Sequence, residues 1–345
     1  MILILIIGFL TSFFVCYNII YLHRREIIIH KEIKAIQNVH EKPTPRIGGI
    51  SIYLGLIVSS VLALFYGYKD LFMFVFVSMP AFLGGIIEDF TKSVSPHKRL
   101  ALITLSGILA FLMGIKITKS GIFLLDILFH INIISFIVTI IALDGITNAM
   151  NIIDGFNGLA SGVSIMIIGV FSFVAFQLGD LDILFLGLMY ISVLLGFFLW
   201  NFPKGEIFLG DGGAYLTGFF VGFMGIALVN KHSSISPFFP LSACIYPIYE
   251  IGFSIYRRKI REVSPYLADS MHFHTLIYKI LTRKLGLKTK LERNNATSII
   301  LWMINFIIVV SSFIFKDKTY MLIGICIVFG IFYNIVYFWL LKLKL

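Results

Sequence analysis

Leu71-Phe-Met-Phe-Val-Phe-Val-Ser-Met-Pro80-Ala-Phe-Leu-Gly84-Gly85-Ile-Ile-Glu88-Asp89-Phe90 is an apolar run that ends in two adjacent carboxylates. Crossing roughly 30 Å of hydrocarbon takes about 20 apolar residues in a helix, so this run is long enough to span a bilayer. Side-by-side carboxylates repel, and each loses solvation beside lipid. Such a pair is retained at low cost only where a cation or a water-filled cavity meets it. The stretch therefore points to a metal or phosphate site at a membrane face. The competing reading is a stop signal in which Glu88 and Asp89 merely mark the water interface.

Outward from this run the chain repeats the theme. It has 345 residues, of which 59% are hydrophobic and 13% charged, far from the composition of soluble globular proteins. Long unbroken apolar runs, not weak alternating ones, exclude a β-barrel and give an all-α polytopic membrane protein. Spans are expected at 1–22, 47–66, 71–88, 100–116, 131–147, 158–177, 183–201, 213–230, 238–256, 297–315 and 320–341, eleven in all. Residues 1–345 read as one polytopic domain without internal repeats, and 257–295 as a large loop carrying a short amphipathic helix at Leu276–Leu285. Cys16, Cys244 and Cys326 lie far apart inside apolar runs and read as small core residues, not disulfides or zinc ligands.

The basic residues give the threading. The segments 23–46, 89–99, 202–212, 257–296 and 342–345 hold 22 of the 28 Lys and Arg, which places them inside, the N-terminus outside and the C-terminus in the cytoplasm. The net charge of +10 is then explained by topology, anionic headgroups and phosphate-bearing substrates, with no nucleic acid required. Every polar cluster falls on the same face, which is not how a channel is built.

Four clusters carry the chemistry. Lys42-Pro-Thr-Pro-Arg46-Ile-Gly48-Gly49 sets two cations and a glycine pair before a helix start, an arrangement suited to phosphate; a basic juxtamembrane loop is the plainer alternative. Asn148-Ala-Met-Asn151-Ile-Ile-Asp154-Gly155-Phe156-Asn157-Gly158 places amides and a carboxylate where they can read a nucleobase or ribose, or else forms a polar turn. Gly205-Glu206-Ile-Phe208-Leu209-Gly210-Asp211-Gly212-Gly213 puts a carboxylate in a glycine-rich bend that can aim Asp211 at a Mg²⁺, with Phe208 as a flat surface for a base. The last loop combines Arg257, Arg258, Lys259 and Arg261 with His272-Phe-His274. Two histidines at that spacing do not share a helix face, so phosphate contact fits better than a helical zinc site. A membrane-surface basic patch is the alternative there.

In this order, spacing and sidedness, from Lys42 to Thr275, the motifs resemble the polyprenyl-phosphate N-acetylhexosamine-1-phosphate transferase family. The His-Phe-His pattern and the eleventh span resemble its O-antigen-initiating branch. The resemblance implies transfer of an N-acetylhexosamine or 6-deoxy-N-acetylhexosamine 1-phosphate from a UDP-sugar to undecaprenyl phosphate, with UMP released. It implies a multi-pass protein of the bacterial inner membrane with its site on the cytoplasmic face. The implied ion is Mg²⁺, with Mn²⁺ as a substitute; a homodimer is left open.

Residue by residue, the resemblance puts Glu88 and Asp89 at the family's paired aspartates and Asp211 at its metal-binding aspartate, with Asp89 as a second ligand. It puts Lys42, Asn151, Asp154 and Phe208 in the nucleotide pocket and His272 and His274 at the histidine motif. The chain departs from the pattern at Glu88 for Asp, at Asp154-Gly-Phe-Asn157-Gly for Asp-Gly-x-Asp-Gly, and at Ser270 for an arginine whose charge Arg257, Arg258 or Arg261 could supply. Two other readings follow from different features: an inactive assembly partner, from these departures, and a transporter or scramblase, from the many spans.

Overall fold

A computed structural model describes residues 1–26, 43–261, 271–284, 287 and 289–344. Lys42 and residues 262–270 lie outside the described residues. Among those described there is no strand, and every expected span carries helix. In chain order the helices are α1 Ile2–Arg24, α2 Gly48–Leu64, α3 Asp70–Thr91, α4 Pro96–Leu112, the single turn α5 Phe123–Asp126 followed by a 3-10 turn, α6 Asn132–Ile153, α7 Leu159–Gln177, α8 Leu181–Asn201, α9 Gly210–Lys231, α10 Phe238–Ala243, α11 Ile245–Ile260, α12 Phe273–Lys284, α13 Lys290–Ile314 and α14 Thr319–Lys344.

Eight of these are long and apolar enough to cross a membrane, and the protein is a multi-pass membrane protein. The segment expected as one span at 238–256 is two helices that meet at Cys244. Pro240 and Pro247 fall in the first turns of these two helices and cannot donate to one ladder running through Cys244, which fits the break, whereas α3 accommodates Pro80 in its interior. Three ends differ from the expected bounds in a way that matters. Helix α3 continues through Glu88 and Asp89, α6 runs on to Ile153, and α9 begins at Gly210. The acidic pair, both motif asparagines Asn148 and Asn151, and Asp211 therefore sit on rigid helix ends, not in loops.

Local signals place the starts. Ser95 caps α4 by accepting from Lys98 N, with Pro96 in the first turn. Asp180 caps α8 through Ile183 N, and Thr289 with Glu292 forms a reciprocal capping box on α13. The amphipathic segment expected at Leu276–Leu285 is α12, whose Phe273, Leu276 and Ile277 are buried.

Helix α9 is the hub. It packs against α2, α3, α6 and α7, and 78% of its apolar stretch is buried, against 28% for α1. Apolar side chains gain nothing by leaving lipid for one another, so close backbone approach between small residues brings the helices together. A Cβ on Gly85 would lie 2.4 Å from Gly212 N, and one on Gly49 would lie 2.3 Å from Gly213 N. Glycine contacts thus seat α2 and α3 directly on the first turn of α9. Outward-facing large apolar side chains such as Phe76, Ile141 and Phe306 form the lipid-facing surface.

Candidate active site

The first turn of α9 has no cap from its own flank. Asp89, 2% exposed on the neighbouring α3, supplies one: its Oδ1 accepts from Asp211 N at 2.9 Å and its Oδ2 from Gly212 N at 3.0 Å. A buried carboxylate facing helix N–H groups satisfies both the orphan donors and its own lost solvation. Gly210 makes room for it. Its φ is +75°, and a Cβ there would stand 2.6 Å from Asp89 Oδ2 and 2.2 Å from the Arg46 carbonyl oxygen. Glu88, beside Asp89 and half-buried, accepts from Val94 N at 2.9 Å and lies close enough to Arg99 to interact with its charge.

Held this way, Asp211 projects between α4 and α6. Its Oδ1 accepts from Asn151 Nδ2 at 3.1 Å, and its Oδ2 meets Arg99 Nη1 at 2.6 Å. Both the Arg99 and Asp211 side chains are largely but not fully buried, at 22% and 23% exposure. Arg99 Nε is buried without a hydrogen-bond partner among the described residues. The guanidinium thus neutralises Asp211 with one nitrogen and keeps another donor unanswered in the same cleft.

The two loops that flank α9 and α2 are joined by backbone hydrogen bonds. Phe208 N donates to the Pro45 carbonyl, and Gly48 N and Gly49 N donate to the carbonyls of Phe208 and Leu209, each at 2.9 Å. Behind the bend, Asn201 accepts from Gly158 N at 2.6 Å and donates to the Ile207 carbonyl at 2.7 Å. Arg24 at the end of α1 pairs with Glu206. These bonds place Arg46 and Phe208 beside the turn after α6, where half-buried Asp154 interacts with both Arg46 and Asp211. Loss of solvation pushes the Asp154 carboxyl up to about 7; Arg46 opposes the shift and Asp211 adds to it.

The histidine motif closes the group from the other side. His274, 3% exposed, packs edge-on to Phe156 at 5.5 Å, and its Nε2 is 3.0 Å from where a Cβ on Gly155 would stand. His272 and His274 rings lie 5.2 Å apart and nearly parallel, at 13°. That stacking is available because His272 precedes the first residue of α12, so helical spacing does not separate the pair.

The structure therefore brings Asp89, Asn151, Asp154, Asp211, Arg46, Phe208 and His274 to one end of the bundle. Other expected residues stand behind or beside this group. Asn148 Nδ2 is spent on the Asp144 carbonyl of its own helix at 2.8 Å. Asn157, 1% exposed, is bound through its backbone N to Asn294 Oδ1 at 2.8 Å and through its carbonyl to Ser298. Arg257, 7% exposed, donates to the Met271 carbonyl at 2.8 Å and the Tyr337 hydroxyl at 3.0 Å. Arg258 is half-buried and Arg261 exposed near the end of α11.

Sequence reasoning missed Arg99, which it counted only as a topological charge, and Glu250, a carboxylate inside an apolar run. An ionisable residue in such a run is itself a signal of function and would have flagged Glu250.

No three His, Cys, Asp or Glu side chains among the described residues form a ready-made metal cage. What the cleft offers is one carboxylate, Asp211, with an amide beside it and Asp154 nearby. That donor set suits an ion such as Mg²⁺, which keeps its waters and takes one or two protein carboxylates together with substrate phosphates.

The chain is 26% identical over 286 residues to the probable undecaprenyl-phosphate N-acetylglucosaminyl 1-phosphate transferase of Bacillus subtilis, covering 82% of this chain and 76% of the relative. It is 27% identical over 248 residues to the undecaprenyl-phosphate alpha-N-acetylglucosaminyl 1-phosphate transferase of Thermotoga maritima, covering 72% and 71%. It is 29% identical over 339 residues to the decaprenyl-phosphate N-acetylglucosaminephosphotransferase of Mycolicibacterium smegmatis, covering 86% and 78%. The family whose model matches is glycosyl transferase family 4, over residues 71–229, from the first residues of α3 to the end of α9, a stretch that includes Asp89, Asn151, Asp154 and Asp211.

Proposed function

We propose that this protein transfers an N-acetylhexosamine 1-phosphate, with N-acetylglucosamine as the first candidate, from a UDP-sugar to undecaprenyl phosphate and releases UMP. The observation that carries the reading is the meeting of Asp211, Asn151 and Arg99 in one cleft at the first turn of α9, braced by Asp89. Phosphoryl transfer needs in-line positioning and charge neutralisation more than covalent help, and this cleft supplies opposite charges on rigid helix ends. The names of the relatives, all polyprenyl-phosphate sugar phosphotransferases, support the lipid acceptor. The distribution of Lys and Arg supports a cytoplasmic site in a bacterial inner membrane.

In this reading Asn151 holds the Asp211 carboxylate in one orientation, and Asp89 fixes the backbone from which Asp211 projects. A Mg²⁺ held at Asp211 supplies Lewis-acid neutralisation of the donor diphosphate when bound. Arg99 turns its donors to the phosphate oxygens once the donor arrives. Arg46, with Asp154 and Phe208 beside it, receives the nucleotide end. An oxygen of the lipid phosphate attacks the sugar-bearing phosphorus, and the bond to UMP breaks with its electron pair leaving on the UMP oxygen. The lipid phosphate is already an oxyanion near neutral pH, so Glu88 has only to orient it or take a residual proton. The product is the first lipid-linked unit of a surface glycan such as O-antigen.

The test is a partition assay with purified protein, undecaprenyl phosphate, Mg²⁺ and radiolabelled UDP-N-acetylglucosamine, alongside labelled 6-deoxy UDP-sugars. Label entering the organic phase from one of these donors, and absent with Asp211→Asn protein of unchanged melting temperature, supports the reading. No transfer from any donor in the panel overturns it.

A further inference from the structure

Glu250 lies in α11 with no exposed surface. Three groups converge on its carboxyl. Its Oε1 takes His272 Nδ1 at 2.9 Å and Phe273 N at 3.2 Å, and its Oε2 takes the Tyr333 hydroxyl at 2.8 Å. A backbone N–H can only donate, so Oε1 is an acceptor, and an ionised carboxylate then requires the proton of His272 to sit on Nδ1. A fully buried carboxylate is costly unless such donors satisfy it. The second clamp on the same segment is Arg257, which donates to the carbonyl of Met271, the residue before His272, and to Tyr337 of α14. From Glu250 the line runs through His272 to the parallel ring of His274 and on to Gly155, next to Asp154. Helices α11 and α14 thus reach the reacting cleft through the histidine pair.

We propose that Glu250 is the positioning residue of the histidine motif: it fixes His272 as the Nδ1-protonated tautomer and orients the stacked His272–His274 pair toward the donor diphosphate. Nε2, on the far edge of the ring, is an acceptor in that tautomer and meets a phosphate oxygen as a donor only when it too carries a proton, as an imidazolium held by the Glu250 charge. The buried carboxylate stabilises the positive charge the ring carries when both of its nitrogens are protonated, as a carboxylate does for a histidine in hydrolytic and metal sites. The proposal rests on the transferase reading above.

The test pairs kinetics with a measurement that needs no turnover. In Glu250→Gln, Phe273 N keeps its acceptor only if the amide oxygen takes the place of Oε1, so the variant keeps the bonds from His272 and Phe273, turns the Tyr333 contact into donation from the amide to the hydroxyl, and removes the charge. The expected result is a kcat lower by about tenfold or more, with donor KM within about twofold and melting temperature unchanged. Glu250→Asp, which restores the charge at shorter reach, recovers part of kcat. Nitrogen NMR of histidine-labelled wild-type protein, with His272 assigned by its substitution, shows Nδ1 carrying the proton. A wild-type His272 whose Nδ1 carries no proton, or a Glu250→Gln protein with wild-type kcat, overturns the proposal. Because the tautomer is read without substrate, a wild-type protein that transfers nothing sinks the transferase reading and leaves this result standing.

Discussion

Arg99 Nη1 lies 2.6 Å from Asp211 Oδ2, so the carboxylate best placed to hold a cation is already paired with one. A guanidinium on that oxygen competes with a metal ion for the same lone pairs, and the buried Arg99 Nε without a partner marks a donor awaiting an anion. Removing Arg99 should therefore have opposite effects on ion and substrate. In Arg99→Gln, Mn²⁺ used as a spin probe binds the donor-free protein more tightly, by about 1 kcal/mol or roughly fivefold, as read by the loss of free-ion signal. The same variant loses about a hundredfold in kcat/KM. Weaker Mn²⁺ binding in the variant would show that Arg99 does not guard Asp211.

Asp154 gives a pH prediction whose sign follows from its surroundings. Burial raises its carboxyl from 3.8 to about 7. The folded protein then holds a proton that the unfolded chain releases between pH 4 and 7, so this group lowers stability as pH rises through that window. Asp154→Asn removes the titration. The ligand-free variant should melt roughly 2 °C above wild type at pH 8, with the difference vanishing near pH 4, while donor KM rises. A variant that melts below wild type at pH 8 contradicts the placement of Asp154 in a desolvated pocket.

Gly85 sets the distance between α3 and α9. A Cβ there would meet Gly212 N at 2.4 Å and the Asp211 carbonyl carbon at 2.5 Å, both backbone atoms that cannot swing aside. Gly85→Ala should cost about 2–3 kcal/mol and, by forcing the helices apart, break the bonds from Asp89 to the first turn of α9. Lowered melting temperature together with lost transfer checks this. Gly145→Ala, where no atom lies within 4 Å of a new Cβ, is the control and should leave the melting temperature near that of wild type.

These contacts also show which parts of the site can be read from a sequence. The apolar runs and the carboxylates at their ends are local features, and hydrophobic length alone placed Asp89 and Asp211 at membrane-span boundaries. What hydrophobicity conceals is where a helix stops. The expected span stops at residue 147 because amides are poor in lipid, yet α6 continues through Asn148 and Asn151, which share a face at its end. Asn148 stays helical by donating to the Asp144 carbonyl, and Asn151 by donating to Asp211, a partner 60 residues away. Arg99 was illegible for the same reason, its partner Asp211 lying far along the chain, whereas Glu250 carried a readable signal as a carboxylate in an apolar run and only its partners were hidden. Arg257 illustrates the converse, a basic residue that reads as a phosphate contact but is buried in a local clamp.

Asn157 stands where the resembled family often has an aspartate, which invites the idea that Asn157→Asp would repair a weakened site. The structure argues otherwise. Asn157 is 1% exposed, its Nδ2 donates to the Pro203 carbonyl at 3.4 Å, and its Oδ1 is buried without a partner among the described residues. An aspartate would exchange that donor for an acceptor facing a carbonyl and bury a charge beside Gly205. The nearest bonds, to Asn294 and Ser298, use Asn157 backbone atoms and bring it no cation. Asn157→Asp should therefore cost about 3 kcal/mol at pH 8 and less at pH 5, where the carboxyl can take a proton. Transfer activity should fall with stability, with donor KM unchanged in the fraction that stays folded. A variant as stable as wild type at pH 8, with donor KM lowered, would place residue 157 in the nucleotide pocket after all.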